Sequence, residues 1–271
     1  MPLRKWFRLV PARELVRLRL VCFPHAGGSA SFFRSWGTYL PETVEFAAVC
    51  YPGREDRIND PLPERMEDLT VPLAMACACL PDVPTVFFGH SMGASVAYET
   101  AVRLERDYGM DLAALCVSGR GAPGGERRRE PVPDDDGELA RALVRMGGTE
   151  DAALLNSELR ELVLPIIRAD YRLTGRYDEQ AAARVVGRAA GPAVSAPLVA
   201  YYGTADEDLD ERSVAAWGAL TRAHFTQRAM PGGHFYLRDD TAGLVHDLMT
   251  RVSLMTRVST GAELRDPAPV G

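Results

Sequence analysis

The chain predicts an α/β protein with a mostly parallel, doubly wound sheet, and three observations carry that expectation. Strand-like and helix-like segments alternate from residue 18 to residue 118. An apolar, β-branched and aromatic segment runs straight into Gly89-His90-Ser91-Met92-Gly93, with helix-forming residues after it. Strand character then returns near residue 196, after a long stretch that holds only helical patterns. At 271 residues the chain can bury a sizeable core without disulfide or metal staples. Hydrophobic residues at 46% and charged residues at 25% suit a soluble globular domain, and a net charge of −6 argues against a general nucleic-acid binder.

Taken in order, Arg17 to Phe23 alternates polar and apolar residues and then becomes wholly apolar, as a strand entering a sheet does. Pro24-His25-Ala26-Gly27-Gly28-Ser29-Ala30 ends it with small residues that let a backbone approach a ligand. From Ser31 to Leu40 the residues Phe32, Phe33, Trp36 and Leu40 fall at helical spacing. Val44 to Cys50 is a strand, stopped by Tyr51-Pro52-Gly53-Arg54. Met66 to Leu80 is a helix with Leu69, Leu73, Ala76 and Leu80 on one face. The strand Pro84 to Phe88 and the helix Ala94 to Leu104 flank Ser91, and Leu112 to Ser118 is the next strand.

The alternation stops at a glycine- and proline-rich connector carrying Arg127-Arg128-Arg129 and Asp134-Asp135-Asp136. Beyond it Glu138 to Met146 and Ser157 to Tyr171 are helical; in the second, Leu159, Leu162, Val163, Ile166, Ile167 and Tyr171 form an apolar stripe that Pro165 is expected to kink. Residues 121–190 therefore read as a helical insertion between core segments 1–120 and 191–255. Ala196 to Gly203 and Phe225 to Met230 are strands, with a helix near Ser213 to Thr221 between them and a last helix from about Ala242 to Arg251. Residues 256–271 are expected to be a disordered tail.

Gly-x-Ser-x-Gly between a strand and a helix is the pattern of a nucleophile elbow, in which a serine sits on a sharp turn with its hydroxyl exposed. Gly89 and Gly93 stand where a side chain would collide. A serine hydroxyl needs an imidazole to accept its proton and a carboxylate to hold that imidazole. In doubly wound hydrolases the three occur in the order serine, acid, histidine, each after a strand. Ser91, Asp206 or Asp208, and His234 satisfy that order; Asp206, directly after its strand, is preferred as the acid. His234 lies in Gly-Gly-His-Phe after the final strand, whereas His90 is expected to point away from the active face and His25 to line it. His224 and His246 read as structural or surface residues. The negative charge of a tetrahedral intermediate needs donors, and the backbone N–H groups of Met92 and Ala26 are the candidates.

The five cysteines, Cys22, Cys50, Cys77, Cys79 and Cys116, are odd in number and sit mostly in apolar runs, so buried reduced thiols are expected. No metal-ligand spacing is present, and neither a metal nor a cofactor is expected. The N-terminus has no long apolar core or small-residue cleavage site, and no apolar run approaches membrane-spanning length. A cytoplasmic location without a membrane partner follows as the expectation.

Together, Pro24-His25-Ala26-Gly27-Gly28-Ser29-Ala30, Tyr51-Pro52-Gly53-Arg54-Glu55-Asp56-Arg57, Gly89-His90-Ser91-Met92-Gly93-Ala94, Met146-Gly147-Gly148-Thr149 and Pro231-Gly232-Gly233-His234-Phe235-Tyr236-Leu237 resemble the type II thioesterases of polyketide and nonribosomal peptide synthesis. The likeness runs from about residue 18 to residue 238. It implies an α/β-hydrolase that releases acyl groups from the phosphopantetheine arm of carrier proteins, clearing stalled or wrongly primed chains. It also implies Ser91 as nucleophile, His234 as base, Asp206 as acid, the Met92 and Ala26 amides as oxyanion hole, and residues 121–190 as a lid. Glu207 departs from many relatives, and Ala181-Ala182-Ala183 reads as an ordinary linker, so no chain-length preference is inherited. The expected partner is an acyl or peptidyl carrier protein, with the enzyme itself a monomer and Arg127 to Arg129 a candidate docking patch. An acyltransferase using the same acyl-enzyme and a noncatalytic carrier-binding module are the competing readings.

Overall fold

Near-continuous burial along the central strands sets the architecture, because side chains of a strand point to opposite faces and both faces here find apolar partners. In the computed structural model, which describes residues 3–125, 135–146, 157–187 and 193–259, seven strands form one sheet. They are β1 (Phe7–Val10), β2 (Leu18–Phe23), β3 (Val44–Val49), β4 (Thr85–His90), β5 (Ala114–Ser118), β6 (Leu198–Gly203) and β7 (Phe225–Met230), in the spatial order β1-β3-β2-β4-β5-β6-β7. Every pairing is parallel except the edge pair β1–β3.

The helices are α1 (Leu3–Trp6), α2 (Met66–Ala78), α3 (Met92–Tyr108), α4 (Asp136–Met146), α5 (Ser157–Gly187), α6 (Glu211–Ala215), α7 (Tyr236–Asp239) and α8 (Thr241–Ser259). Val21, Phe23, Phe87, Leu115 and Val117 pack on one face against α2 and α3, through residues such as Leu69, Leu73, Ala97 and Ala101. Leu20, Cys22, Phe46, Val86 and Phe88 pack on the other against Phe33, Trp36 and the Leu244, Val245 and Leu248 face of α8. Leu69, Leu73, Ala76 and Leu80 are all buried, as the periodicity of that segment predicts.

Several expectations change. Ser31 to Leu40 is not an α-helix: two 3-10 turns, Ala30–Phe33 and Trp36–Thr38, seat Phe33 and Trp36 in the core, in a segment whose Ser31, Ser35, Gly37 and Thr38 are weak helix formers. The segment expected as one helix near Ser213 to Thr221 is α6 followed by a 3-10 turn, Ala216–Leu220, around Gly218. The helix α5 continues through Pro165 and far past Tyr171 to Gly187, so Ala181-Ala182-Ala183 is helix rather than linker, with Ala181 buried. Its buried face is set by Leu164, Ile167, Asp170, Leu173, Thr174 and Tyr177; Leu162 instead is 58% exposed. Of the cysteines, Cys22, Cys50, Cys77 and Cys116 are buried, but Cys79 at the C-terminal end of α2 is exposed. The last helix runs past its expected end near Arg251 to Ser259, over the first residues of the expected tail 256–271; the rest of that tail, Arg127 to Arg129 and Gly147 to Thr149 lie outside the described residues.

Candidate active site

The carboxyl ends of β2, β4, β5, β6 and β7 lie along one edge of the sheet, and the residues that follow each strand are gathered there. After β4 the chain reverses on Ser91, whose φ of 54° and ψ of −120° lie outside the regions that L-residues ordinarily occupy. The turn is this tight because α3 starts at Met92 and packs its first residues onto the β2 loop. A Cβ at Gly93 would overlap the carbonyl of Phe23, and one at Gly89 would overlap the carbonyl of Gly93. The Ser91 amide donates to the Ser118 carbonyl at 2.7 Å, tying the elbow to the end of β5. Met92 occupies the first position of α3, where a backbone N–H has no intrahelical acceptor and points out of the helix end.

After β6 and β7 the loops interlock. Gly203 closes on the Gly232 and Gly233 carbonyls, which a Cβ would strike, and the Ala205 amide donates to the Gly232 carbonyl at 2.8 Å. This brings His234 Nδ1 to 2.7 Å from Asp206 Oδ2. Asp208 is exposed and touches Asp206 only through its own backbone amide, at 3.2 Å from Asp206 Oδ1. His234 therefore has Asp206 and not Asp208 as its carboxylate. The His234 ring also lies over the loop that follows Ser118, since a Cβ at Gly119 would sit 3.4 Å from His234 Cε1. Ser91 and His234 thus share one edge and meet consecutive residues at the end of β5, Ser118 and Gly119, but none of the hydrogen bonds among the described residues joins the Ser91 hydroxyl to His234. Catalytic contacts of this kind tighten when substrate enters.

His90 has the packing and hydrogen-bonding role expected of a residue beside the serine, but its ring lies next to His234 instead of pointing away from it. Fully buried, its ring centroid is 5.0 Å from that of His234 and 5.2 Å from that of Phe235. His90 Nδ1 is 2.9 Å from Ser118 Oγ, which is 2.6 Å from the Tyr236 hydroxyl. Burial first, and then repulsion from His234 and His25, holds the His90 imidazole well below its ordinary value, so it stays neutral beside His234. His25 lines the same edge, buried between Phe32 and Phe235 with ring centroids 4.6 Å and 4.8 Å away. His224 is exposed and sits 2.9 Å from the Thr226 hydroxyl, and His246 is exposed on α8.

Ala26 is the third residue after β2 and lies inside a turn that the Gly28 amide closes on the His25 carbonyl at 2.9 Å. The next residue, Gly27, has φ of +75° and donates its amide to Asp170 Oδ2 of α5 at 2.7 Å. The same oxygen is ion-paired with Arg54, which sits after β3. No local pattern in the sequence marks Asp170, because an aspartate within a helix carries no signal of its partners. Among the described residues one cluster, Cys50, Glu55 and Asp56, brings three potential metal-ligating atoms together. The Arg8 guanidinium is bonded to all three, to Glu55 at 2.8 Å, to Cys50 Sγ at 3.1 Å and to Asp56.

Comparison with known proteins agrees with this arrangement. The family model described as thioesterase domain matches residues 18–251. Thioesterase PikA5 of Streptomyces venezuelae is 36% identical over 263 residues, covering 97% of this chain and 90% of that protein. The solved type II thioesterase BorB from the borrelidin biosynthetic cluster superimposes with a TM-score of 0.79 at 33% identity, covering 91% of this chain and 97% of BorB. YbtT, a type II thioesterase from the yersiniabactin NRPS/PKS pathway, gives a TM-score of 0.79 at 29% identity, covering 93% of this chain and 99% of YbtT. With an elbow serine, a histidine–carboxylate pair and an inserted helical stretch on this sheet, the chain belongs to the thioesterase family, alongside type II thioesterases of polyketide and nonribosomal peptide pathways.

Proposed function

We propose that the protein is a serine thioesterase that releases acyl groups from the phosphopantetheine arm of acyl or peptidyl carrier proteins, removing stalled or wrongly primed chains. The observation that carries this reading is the 2.7 Å pair of His234 and Asp206 on the same sheet edge as a serine held in a strained turn. In the proposed cycle Ser91 Oγ attacks the thioester carbonyl and its proton passes to His234, whose Nδ1–H is held by Asp206. The oxyanion is received by the backbone N–H groups of Met92 and Ala26. As the carbonyl re-forms, the C–S bond breaks and the pantetheine thiol leaves with the proton from His234. Water, deprotonated by the same imidazole, then attacks the acyl-enzyme, and Ser91 recovers its proton as the acid departs. Residues 121–190, including α4 and α5, serve as the lid over the acyl chain, on a core of residues 1–120 and 191–255.

The test is acyl release from loaded carrier protein by wild type and Ser91→Ala, with wild type also treated with a fluorophosphonate. The expected result is stoichiometric labelling at Ser91 and loss of release in a variant whose circular dichroism is unchanged. Release at the wild-type rate by Ser91→Ala, or a folded wild type that stays unlabelled, overturns the reading.

A further inference from the structure

Among the described residues of the helical insertion Asp170 is the most deeply buried carboxylate, with a relative exposure of 0%, and it lies against the loop that carries Ala26. Its Oδ2 accepts from the Gly27 amide at 2.7 Å and is ion-paired with Arg54, itself buried. Arg54 in turn donates to the Gly28 carbonyl at 3.2 Å and to the Pro52 carbonyl at 2.7 Å. Ile167, one turn earlier on α5, closes the same contact, since a Cβ at Gly27 would overlap its side chain. A charged pair taken out of water loses its hydration and is weak evidence for stability in itself. What this pair does is fix a loop: both sides of the Gly27-Gly28 segment are bonded to it, one through a donor and one through an acceptor.

We propose that Asp170, supported by Arg54, is a positioning residue for the oxyanion hole. Held by Asp170, the Gly27 peptide fixes the orientation of the preceding peptide unit, and with it the direction in which the Ala26 N–H points. Transition-state stabilisation by such a donor depends on its being in place before the charge develops. The insertion thereby contributes to the chemistry as well as covering it, because displacing α5 from the loop would release the Gly27 amide. This inference rests on the serine thioesterase reading and deepens it.

Two matched variants isolate the contact. Arg54→Met with Asp170→Asn keeps an oxygen able to accept from Gly27, whereas Arg54→Met with Asp170→Leu removes it; both eliminate the buried charges together, so neither leaves an ion without its partner. Hydrolysis of a short acyl ester of p-nitrophenol is followed, so that no carrier protein or long acyl chain is needed. Losing an oxyanion donor outright lowers kcat by about 10²–10³, so a misdirected one is expected to lower kcat in the Leu pair about 10- to 100-fold below the Asn pair. KM should agree within about threefold, and the acidic limb of the kcat/KM profile, which reports the histidine base, should not move. Equal kcat values in the two pairs, or a difference confined to KM, would overturn the proposal. Should the Leu pair fail to give a folded protein by thermal melting, Asp170→Asn alone is compared with Asp170→Ser, which is too short to reach Gly27; equal kcat values there overturn it as well. Wild type that neither hydrolyses the ester nor takes the fluorophosphonate label refutes the thioesterase reading instead, which separates the two failures.

Discussion

His90 shows how one side chain can serve a neighbour by remaining uncharged. A cation in its place would stand 5.0 Å from the His234 ring and oppose the proton that His234 takes from Ser91 in the proposed cycle. Burial, then the nearby imidazoles, lowers its pKa well beneath the ordinary 6.5. Below about pH 6.5 the unfolded chain binds a proton here that the folded chain does not, so stability is fully present above that pH and is lost as the pH falls below it. The slope can reach about 1.4 kcal/mol per pH unit for one such proton. Thermal melts from pH 7 to pH 5 should fall more steeply for wild type than for His90→Asn, which keeps a polar atom near Ser118 Oγ; parallel slopes would refute the assignment. Ser91, His234 and Asp206 were legible because each lies in a short string whose geometry is local. Asp170 was not, since its partners Arg54 and Gly27 are 116 and 143 positions away.

At the level of elements the periodic signal was strongest where one apolar face meets the sheet, as in α2 with Leu69, Leu73 and Ala76. It misled in α5, where the helix packs on loops and on α2 rather than on a flat surface, so a polar residue, Asp170, sits among the buried positions and Leu162 does not. The C-terminal half of α5 is tied to the body by the Arg120–Asp178 ion pair, by Tyr177 donating to Glu99 at 2.9 Å, and by Arg176 donating to the Glu64 carbonyl at 3.1 Å. In contrast, α4 meets α5 through the small cluster of Leu139, Leu164 and Ile167. As the proposed lid, an insertion anchored this way should move at α4 and the start of α5 while residues 170–181 stay in place. Native-state hydrogen exchange should accordingly show amides of residues 170–181 protected nearly to the global limit and those of α4 exchanging through low-energy opening. Loss of protection along all of α5 at the rate of α4 would show the whole insertion moving together.

Across the whole molecule the sheet order does what no local string can, because it makes the ends of β4, β5, β6 and β7 consecutive neighbours. The alternation of strands and helices made a parallel sheet legible, but the insertion between β5 and β6 had to be read from an absence of strand pattern. Net charge sets a further constraint at this scale. A chain with a formal charge of −6 repels an acidic carrier protein on average, so productive encounter needs a local patch of the opposite sign. Arg127, Arg128 and Arg129 form the densest basic run in the sequence and fall within the insertion. If they steer docking, attraction acts mainly on the association rate and is screened within about 10 Å at 0.1 M salt. The value of kcat/KM on an acyl carrier protein should then fall as salt rises from 20 to 300 mM, by roughly tenfold. Combining Arg127→Glu with Arg128→Glu should lower it at low salt by a similar factor and flatten the salt dependence. Hydrolysis of the same acyl group on a small soluble thiol should change by less than about twofold under either treatment, because it presents no charged surface to steer. Equal losses on carrier-bound and soluble substrates would place the effect in the insertion's packing and remove these arginines from docking.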